Sequence, residues 1–310
     1  MLTLISGLGP VGQNLLLSVC GNIDICFELD QAEILAKNEK SIRSSVSDHN
    51  SGMDRSQRST VAHRQLLAFL EQREKPELRN RAEEILNTID KYGISLIIKE
   101  NEAYPKRFAG IADIPVLLYV KGNLRINEYS GSVGIVGARM CSREGRERAI
   151  HLGRQAAIGH RAVISGMAKG IDAYAHTAAL KENGYTIAVM GTGPEVCYPP
   201  EHRALYDTIA ESGCIVSEYA PGTKPAKYLF PRRNRIIAAL SDELYVIDAG
   251  RNSGTRSTMA FCERYGRRVR ALPEINQSEE KLERVCESDI RSARKQESAV
   301  RGRVVVIGFK

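Results

Sequence analysis

The most constraining feature of this sequence is a series of five short apolar runs from residue 131 onward: SVGIVG, RAVISG, TIAVMG, CIVSEY and ELYVID. Helical patterns lie between the first four, at residues 143–158, 172–182 and 201–211, and a sixth run, RRVRALP, follows later. Strands that alternate with helices in this way form a parallel sheet with helices on both faces. We therefore predict an α/β fold with a mostly parallel sheet.

A glycine-rich loop follows each of the five runs. Right-handed crossovers place all strand-to-helix loops of a parallel sheet at the same edge. Each loop ends at a predicted helix start, where backbone amides lack partners and carry a partial positive charge. The loops are 137–145, 165–172, 191–202, 219–235 and 248–258.

These loops also carry cationic side chains, in a chain whose formal net charge is +7. A basic balance favours anionic partners such as nucleic acid or nucleotides. Five loops that favour anions and meet at one edge predict a binding site for phosphate groups. The cations are Arg139, Lys169, Arg232, Arg233, Arg235 and Arg256.

The stretch FPRRNRIIAALS concentrates three of these cations, and no acidic residue is close to them in the sequence. We expect Pro231 to end the preceding segment, so that the arginines occupy the first turn of a helix. Cations there oppose the helix macrodipole by about 0.3–1 kcal/mol each, a conflict that an anionic ligand removes. The alternative is that the arginines pair with acids from elsewhere in the fold.

The three arginines are expected to differ in role. At about 100° per residue, Arg232 and Arg235 lie on neighbouring faces of a helix, while Arg233 is turned away from both. We therefore expect at least one arginine in the binding site and at least one that braces a neighbouring loop.

The sequence gives little support for dinucleotide binding, for a P-loop, for a metal site or for nucleophilic catalysis. GTGPEV lacks the third glycine of a dinucleotide fingerprint, and no P-loop motif occurs. His176 and His202 have no partner at metal-ligand spacing, and no nucleophile with its base is evident. We predict no catalytic residue, no metal and no cofactor.

The flanking regions differ from this core. Residues 1–80 are predicted to form a helical N-terminal region, in which GLGPVGQNLLLSV is typical of a helix-hairpin-helix (or SAM-like) turn and 41–60 is a polar, serine-rich loop. The α/β core is assigned to 81–273, with additional strands at ISLIIKE and PVLLYVKG, and 274–310 to a charged extension.

The cellular location is predicted to be the cytoplasm. The seven cysteines are scattered and form no C-x-x-C pair, as is typical of a reducing compartment. The N-terminus does not read as a signal peptide, and no apolar run approaches the ~18 residues of a membrane span.

Four motifs in order resemble the DNA-processing protein A family, also called DprA or Smf. They are GIVGARMCSREG, ISGMAKGIDAYAHTAAL, TIAVMGTGPEVCYPPEHRAL and FPRRNRIIAALS, with Ala138 where the family usually has serine and Glu195 at the acidic place of the third motif. The matching core covers about residues 81–272.

The resemblance implies an extended Rossmann-like fold that binds single-stranded DNA without catalysis. It also implies a role in natural transformation and DNA recombination, in which the protein protects incoming strands and helps to load a RecA-type recombinase, and it implies a homodimer. The predicted phosphate and DNA contacts combine the residues that match the family with those of the glycine-rich loops. They are Gly137, Arg139, Ser142, Ser165, Gly166, Lys169, Gly170, Asp172, Gly191, Gly193, Arg232, Arg233, Asn234, Arg235, Ser253 and Thr255.

The sequence departs from the family after VRALP, where Glu274 and a charged, helical pattern follow, and we expect no winged-helix module there. Two other functions remain open at this point. One is a nucleotide-hydrolysing enzyme similar to the cytokinin-activating "lonely guy" proteins, although Thr258 stands where their catalytic glutamate would be. The other is a sensor that binds a small nucleotide with the same loops.

Overall fold

A computed structural model of the chain describes residues 67–249 and 254–272, and parts of the N-terminal region at 4–5, 8–20, 26–27, 29, 33–34 and 65. The predicted polar loop at 41–60 and the charged extension at 274–310 lie outside the described residues, as does Ser253.

The described strands form one eight-stranded sheet in the order β1-β2-β6-β5-β4-β3-β7-β8. From β6 to β8 in that order all neighbours are parallel, whereas β2 pairs antiparallel with β6 and β1 pairs antiparallel with β2. The predicted mostly parallel sheet is confirmed, with two antiparallel strands added at one edge. The strands are β1 (Ile94–Ile98), β2 (Leu117–Gly122), β3 (Gly131–Gly137), β4 (Arg161–Ser165), β5 (Thr186–Val189), β6 (Cys214–Ser217), β7 (Glu243–Ile247) and β8 (Arg268–Leu272).

The helices follow the strands as the alternation of patterns predicted. Those of the core are α3 (Arg143–Ile158), α4 (Ile171–Lys181), α5 (Arg203–Ser212), α6 (Leu229–Leu240) and α7 (Thr255–Arg264). Ahead of the parallel strands, the described residues include α1 (Pro10–Cys20) and α2 (Pro76–Tyr92). Short 3-10 turns occur at Lys106–Phe108, Ile126–Glu128 and Pro200–His202.

Helices cover both faces of the sheet because strand residues alternate in direction. On β3, Val133 and Ile135 pack against the small residues of α3 and α4, in a cluster that includes Ala149 and Ala175. Val136 points to the opposite face and joins the cluster of α6. This three-layer arrangement confirms the predicted α/β architecture and fixes the loops at the carboxyl ends of the strands.

The N-terminal region packs on the core through its own apolar cluster. Leu16 and Leu17 of α1 share this cluster with Leu78 of α2 and with Val116, which precedes β2. Helix α2 runs across residue 80, where the sequence predicted a domain boundary, so that boundary does not coincide with the end of an element. Within the residues that the structure describes, no helix combines the length and the apolar character needed to cross a bilayer.

Helix α6 begins earlier than predicted. It starts at Leu229, ahead of Pro231, so Arg232 lies at the end of the first turn, and Arg233 and Arg235 lie beyond it. Proline is tolerated there because the first four N–H groups of a helix have no intrahelical acceptor. The conflict between these cations and the macrodipole is therefore smaller than expected, since the dipole effect falls off within the first turn.

Candidate functional site

The carboxyl edge of the parallel strands gathers the predicted site. From β3 the chain proceeds through β4, β5 and β6 on one side and then returns to β7 on the other side of β3. The loops after β3 and β7 therefore diverge, and a crevice at such a switch point is where open α/β sheets usually bind ligands.

The loops after β3 and β4 are held together by their backbones. Ile171 N–H donates to the carbonyl oxygen of Ala138 at 3.2 Å. Gly170 lies beside this bond with a φ of 77°, and a side chain there would overlap the carbonyl oxygens of Ala138 and Arg139. Glycine is required at this position because of both the dihedral angle and the close approach.

Ser142 is engaged in capping α3. Its hydroxyl accepts from Gly145 N–H at 2.9 Å and donates to the carboxylate of Asp248, at 2.8 Å. The Ser142 N–H donates to the same Asp248 oxygen at 2.8 Å. A ligand phosphate could reach the Ser142 donors only by displacing Asp248.

Arg233 lies beneath the loops rather than on them. It is 5% exposed, and its Nη1 donates to the carbonyl oxygens of Gly166, at 3.0 Å, and of Val189. Burial lowers the pKa of Arg233 to about 10, which still leaves the guanidinium charged at neutral pH. This arginine joins the loop after β4 to the end of β5.

Asp172 faces the same buried space from the first turn of α4. Its carboxylate accepts from the backbone N–H of Gly166 at 3.0 Å and of Ala168 at 3.3 Å. Burial raises the pKa of Asp172, while the charge of Arg233 and these amides act in the opposite direction. A Cβ on Gly166 would lie 2.7 Å from Arg233 Nη2 and 2.9 Å from Asp172 Oδ2, so glycine makes room for both side chains.

Arg235 has an acidic partner that its sequence neighbourhood does not reveal. Its guanidinium forms a bidentate pair with Glu218, at 2.6 and 2.5 Å, and its Nε donates to the carbonyl oxygen of Asp113 at 2.8 Å. Burial disfavours the charge, but the hydrogen bonds and charge of Glu218 outweigh it and raise the pKa of Arg235. Arg235 thus follows the alternative in which an arginine pairs with an acid from elsewhere in the fold, and the expectation that at least one arginine braces a neighbouring loop is confirmed.

Other predicted site residues also form contacts within the protein. Ser165 donates to Ile135 O at 2.6 Å, and Asn234 donates to Ser257 Oγ at 2.9 Å. Gly193 N–H donates to Thr223 O at 2.9 Å, which joins the loops after β5 and β6. A side chain at Gly191 would approach the ring of Phe230. Buried Thr255 begins α7, and Gly137 ends β3.

Another set of cations faces solvent above these buried residues, and we call them the outer cations. Lys169 pairs with Glu201 at 2.8 Å in an exposed ion pair, which holds the pKa of Glu201 below its usual value. Arg139 and Arg232 form no ion pair with any described residue. The outer cations are Arg139, Lys169, Lys224, Lys227 and Arg232, all exposed.

Aromatic side chains next to the outer cations were missed in the sequence. Tyr198 and Phe230 have ring centroids 5.3 Å apart, and Tyr198 is partly exposed. Tyr228 is 65% exposed, and the Arg232 guanidinium lies 5.8 Å from its ring centroid. Nucleobases stack on such rings, with contributions from arginine. The signal was present in the sequence, since Tyr228 and Phe230 flank the arginines, but apolar residues before a helix usually indicate packing.

The predicted site residues thus fall into two layers. Arg139, Lys169 and Arg232 form the accessible layer, where a ligand could reach them. Ser142, Asp172, Arg233 and Arg235 engage in contacts that hold the loops, and their contact with a ligand stays a prediction.

Comparison with known proteins agrees with the motifs. The family described as DNA recombination-mediator protein A matches residues 95–295. DNA processing protein DprA of Streptococcus pneumoniae is 42% identical over 173 residues, which are 56% of this chain and 61% of that protein. The Bacillus subtilis protein of the same name is 33% identical over 214 residues, 69% of this chain and 72% of that protein.

Two solved structures are also similar. The X-ray structure of DprA from Streptococcus pneumoniae has a TM-score of 0.66 at 30% identity and covers 89% of this chain and 86% of that chain. A structure described as revealing the single-stranded DNA binding mode of DNA processing protein A from Helicobacter pylori has a TM-score of 0.55 at 29% identity. It covers 64% of this chain and 89% of that chain.

Proposed function

Because the chain belongs to the DNA recombination-mediator protein A family, we propose that it binds single-stranded DNA at the carboxyl edge of its parallel strands. The observation that carries the proposal is the layer of outer cations above loops whose backbones are already held in place. The relatives lend support, because the Helicobacter pylori protein is described as a binder of single-stranded DNA.

The chemistry of the edge favours a single strand over a duplex. Lysine and arginine side chains contact phosphates without reading sequence, and aromatic rings accept any base. Arg139, Lys169 and Arg232 are the phosphate contacts in this proposal, and Tyr198 and Tyr228 are the stacking surfaces. We expect weak sequence preference and a steep loss of affinity with salt.

The wider role in this proposal is that of a recombination mediator of the DprA type. It protects strands during natural transformation, hands them to a RecA-type recombinase, acts as a homodimer in the cytoplasm and performs no chemistry on the DNA. A nucleotide-hydrolysing function has less support, because Thr258 is buried within α7 and has no carboxylate for acid–base work.

The test is titration of labelled dT oligomers by fluorescence anisotropy at about 50 and 200 mM salt. Alanine at Arg139, Lys169 or Arg232 should weaken binding of every oligomer alike, and each loss of a phosphate contact should reduce the salt slope by about 1 or slightly less. Lys181→Ala is the matched control, because Lys181 is an exposed cation at the other end of α4.

Two results would contradict the proposal. One is binding of dT oligomers that does not change between the two salt concentrations. The other is an effect of Lys181→Ala as large as that of Lys169→Ala, which would indicate attraction by net charge rather than by this edge.

A further inference from the structure

The switch-point crevice between β3 and β7 already contains an anion, the carboxylate of Asp248. This residue directly follows β7, and its Oδ2 accepts from both the N–H and the hydroxyl of Ser142, each at 2.8 Å. Gly145, in the first turn of α3, has no side chain that would keep the Asp248 carboxylate away, and a Cβ at this position would overlap the carboxylate. Asp248 therefore packs directly against the start of α3.

The backbone of Asp248 is shaped for this contact. Its φ is 52°, in the left-handed region, which aspartate tolerates better than most residues but which is uncommon outside glycine. Such a conformation persists only when the surrounding structure determines it. Here the two hydrogen bonds to Ser142 supply that restraint.

This position is where an α/β fold with a switch point places the phosphate of a nucleotide. The phosphate is bound by the partial positive charge and free amides at the start of the first helix, and glycine allows it to come close. In this chain the Asp248 carboxylate occupies this position and engages the N–H and the hydroxyl of Ser142. A second anion would meet a like charge at contact distance and Ser142 donors that are already engaged.

We propose that Asp248 is a specificity residue that closes the switch-point crevice to the phosphates of mononucleotides and dinucleotides. Phosphates of a DNA strand are then left to the outer cations, which are exposed on the loops of the same edge. Only the assignment of the DNA strand to the outer cations rests on the proposed function. The closure of the crevice follows from the contacts of Asp248 alone.

The experiment follows backbone amide resonances of residues 142–145 while inorganic phosphate or AMP is added at constant ionic strength. In the wild-type protein these amides should not respond saturably to either probe. In Asp248→Gly, which suits the left-handed backbone and empties the crevice, they should shift saturably, with an affinity for phosphate at least about tenfold above any wild-type response.

Two further variants keep the test decisive. Asp248→Asn retains the shape of the side chain and removes its charge, so it carries the test if the glycine variant does not fold, and it should also gain a saturable response to phosphate. Asp207→Asn is the control, because it removes one negative charge from the exposed Arg203 pair on α5. It should gain no response at residues 142–145.

A saturable response of the wild-type amides would overturn the proposal, as would folded Asp248 variants that gain none. A loss of stability without a gain of phosphate binding would assign Asp248 a capping role only. Titration of the same proteins with dT oligomers tests the proposed function separately from the phosphate binding measured here. Wild-type protein that binds no DNA would contradict that function and leave the phosphate result unchanged.

Discussion

Replacing Arg235 with alanine should destabilise the fold, whereas replacing Arg232 with alanine should weaken DNA binding and leave the fold intact. Both residues lie on α6, both changes remove one positive charge, and each variant is thus the control for the other. Arg235 and Glu218 have side chains only 8% and 11% exposed, so the pair is shielded from solvent.

The magnitude for Arg235 comes from what its removal leaves behind. Glu218 would stay buried without its bidentate partner, and the carbonyl oxygen of Asp113 would lose its donor. Breaking a buried pair by removing one partner typically costs about 3–5 kcal/mol. Arg232 is exposed and contacts the ring of Tyr228 at 5.8 Å, a cation–π contact of about 0.5–1 kcal/mol at such sites. The difference in unfolding free energy between the two variants should therefore be at least about 2 kcal/mol.

The assays are urea unfolding and dT titration. If Arg232 contacts one phosphate, its loss reduces the salt slope by about 0.7, so the ratio of the variant's Kd to that of wild type should shrink about 2.6-fold between 50 and 200 mM salt. Arg235→Ala should keep the wild-type slope as long as it is folded. Equal stability of the two variants would refute the assignment of Arg235 as a brace, and an unchanged slope in Arg232→Ala would refute its contact with phosphate.

Three other predictions concern charge and backbone. Burial lowers the pKa of His176 to about 3, so the unfolded chain takes up a proton that the folded one does not, and stability should fall by about 1.4 kcal/mol per pH unit from about pH 6.5 downward. Urea unfolding at pH 7 and pH 5 should show this loss, and His176→Asn should lack it. Gly170→Ala should cost at least about 2 kcal/mol in the same unfolding assay, whereas Gly93→Ala should cost about 1, because open space surrounds Gly93. Glu201→Gln should free Lys169 and tighten dT binding in low salt, and unchanged affinity would show that the pair does not compete with DNA.

The sheet and the convergence of its loops could be predicted because both follow from local patterns. Apolar runs separated by helical patterns indicate parallel strands, and parallel strands put their following loops at one edge. The positions of Arg139 and Lys169 at this edge followed directly. The start of α6 did not, since a proline within the first turn of a helix and a proline ahead of it produce the same sequence pattern.

The roles of individual polar residues depended on contacts between distant segments. Arg235 pairs with a glutamate at the end of β6, and Asp248 reaches across the switch point to Ser142. Neither Glu218 nor Ser142 could be identified as the partner from its spacing in the sequence or from its residue type. The sequence could therefore predict that the arginines of this motif differ in role, but not which of them are accessible and which are buried.

The backbone bond between Ile171 and Ala138, and the span of Arg233 from Gly166 to Val189, also have a consequence for kinetics. Loops fixed to one another before the ligand arrives need no rearrangement after encounter, so the observed association rate should rise linearly with protein concentration without reaching a plateau. Long-range attraction by exposed charge then acts mainly on the encounter itself. Added salt should accordingly slow association more than it speeds dissociation, and stopped-flow traces should fit a single bimolecular step.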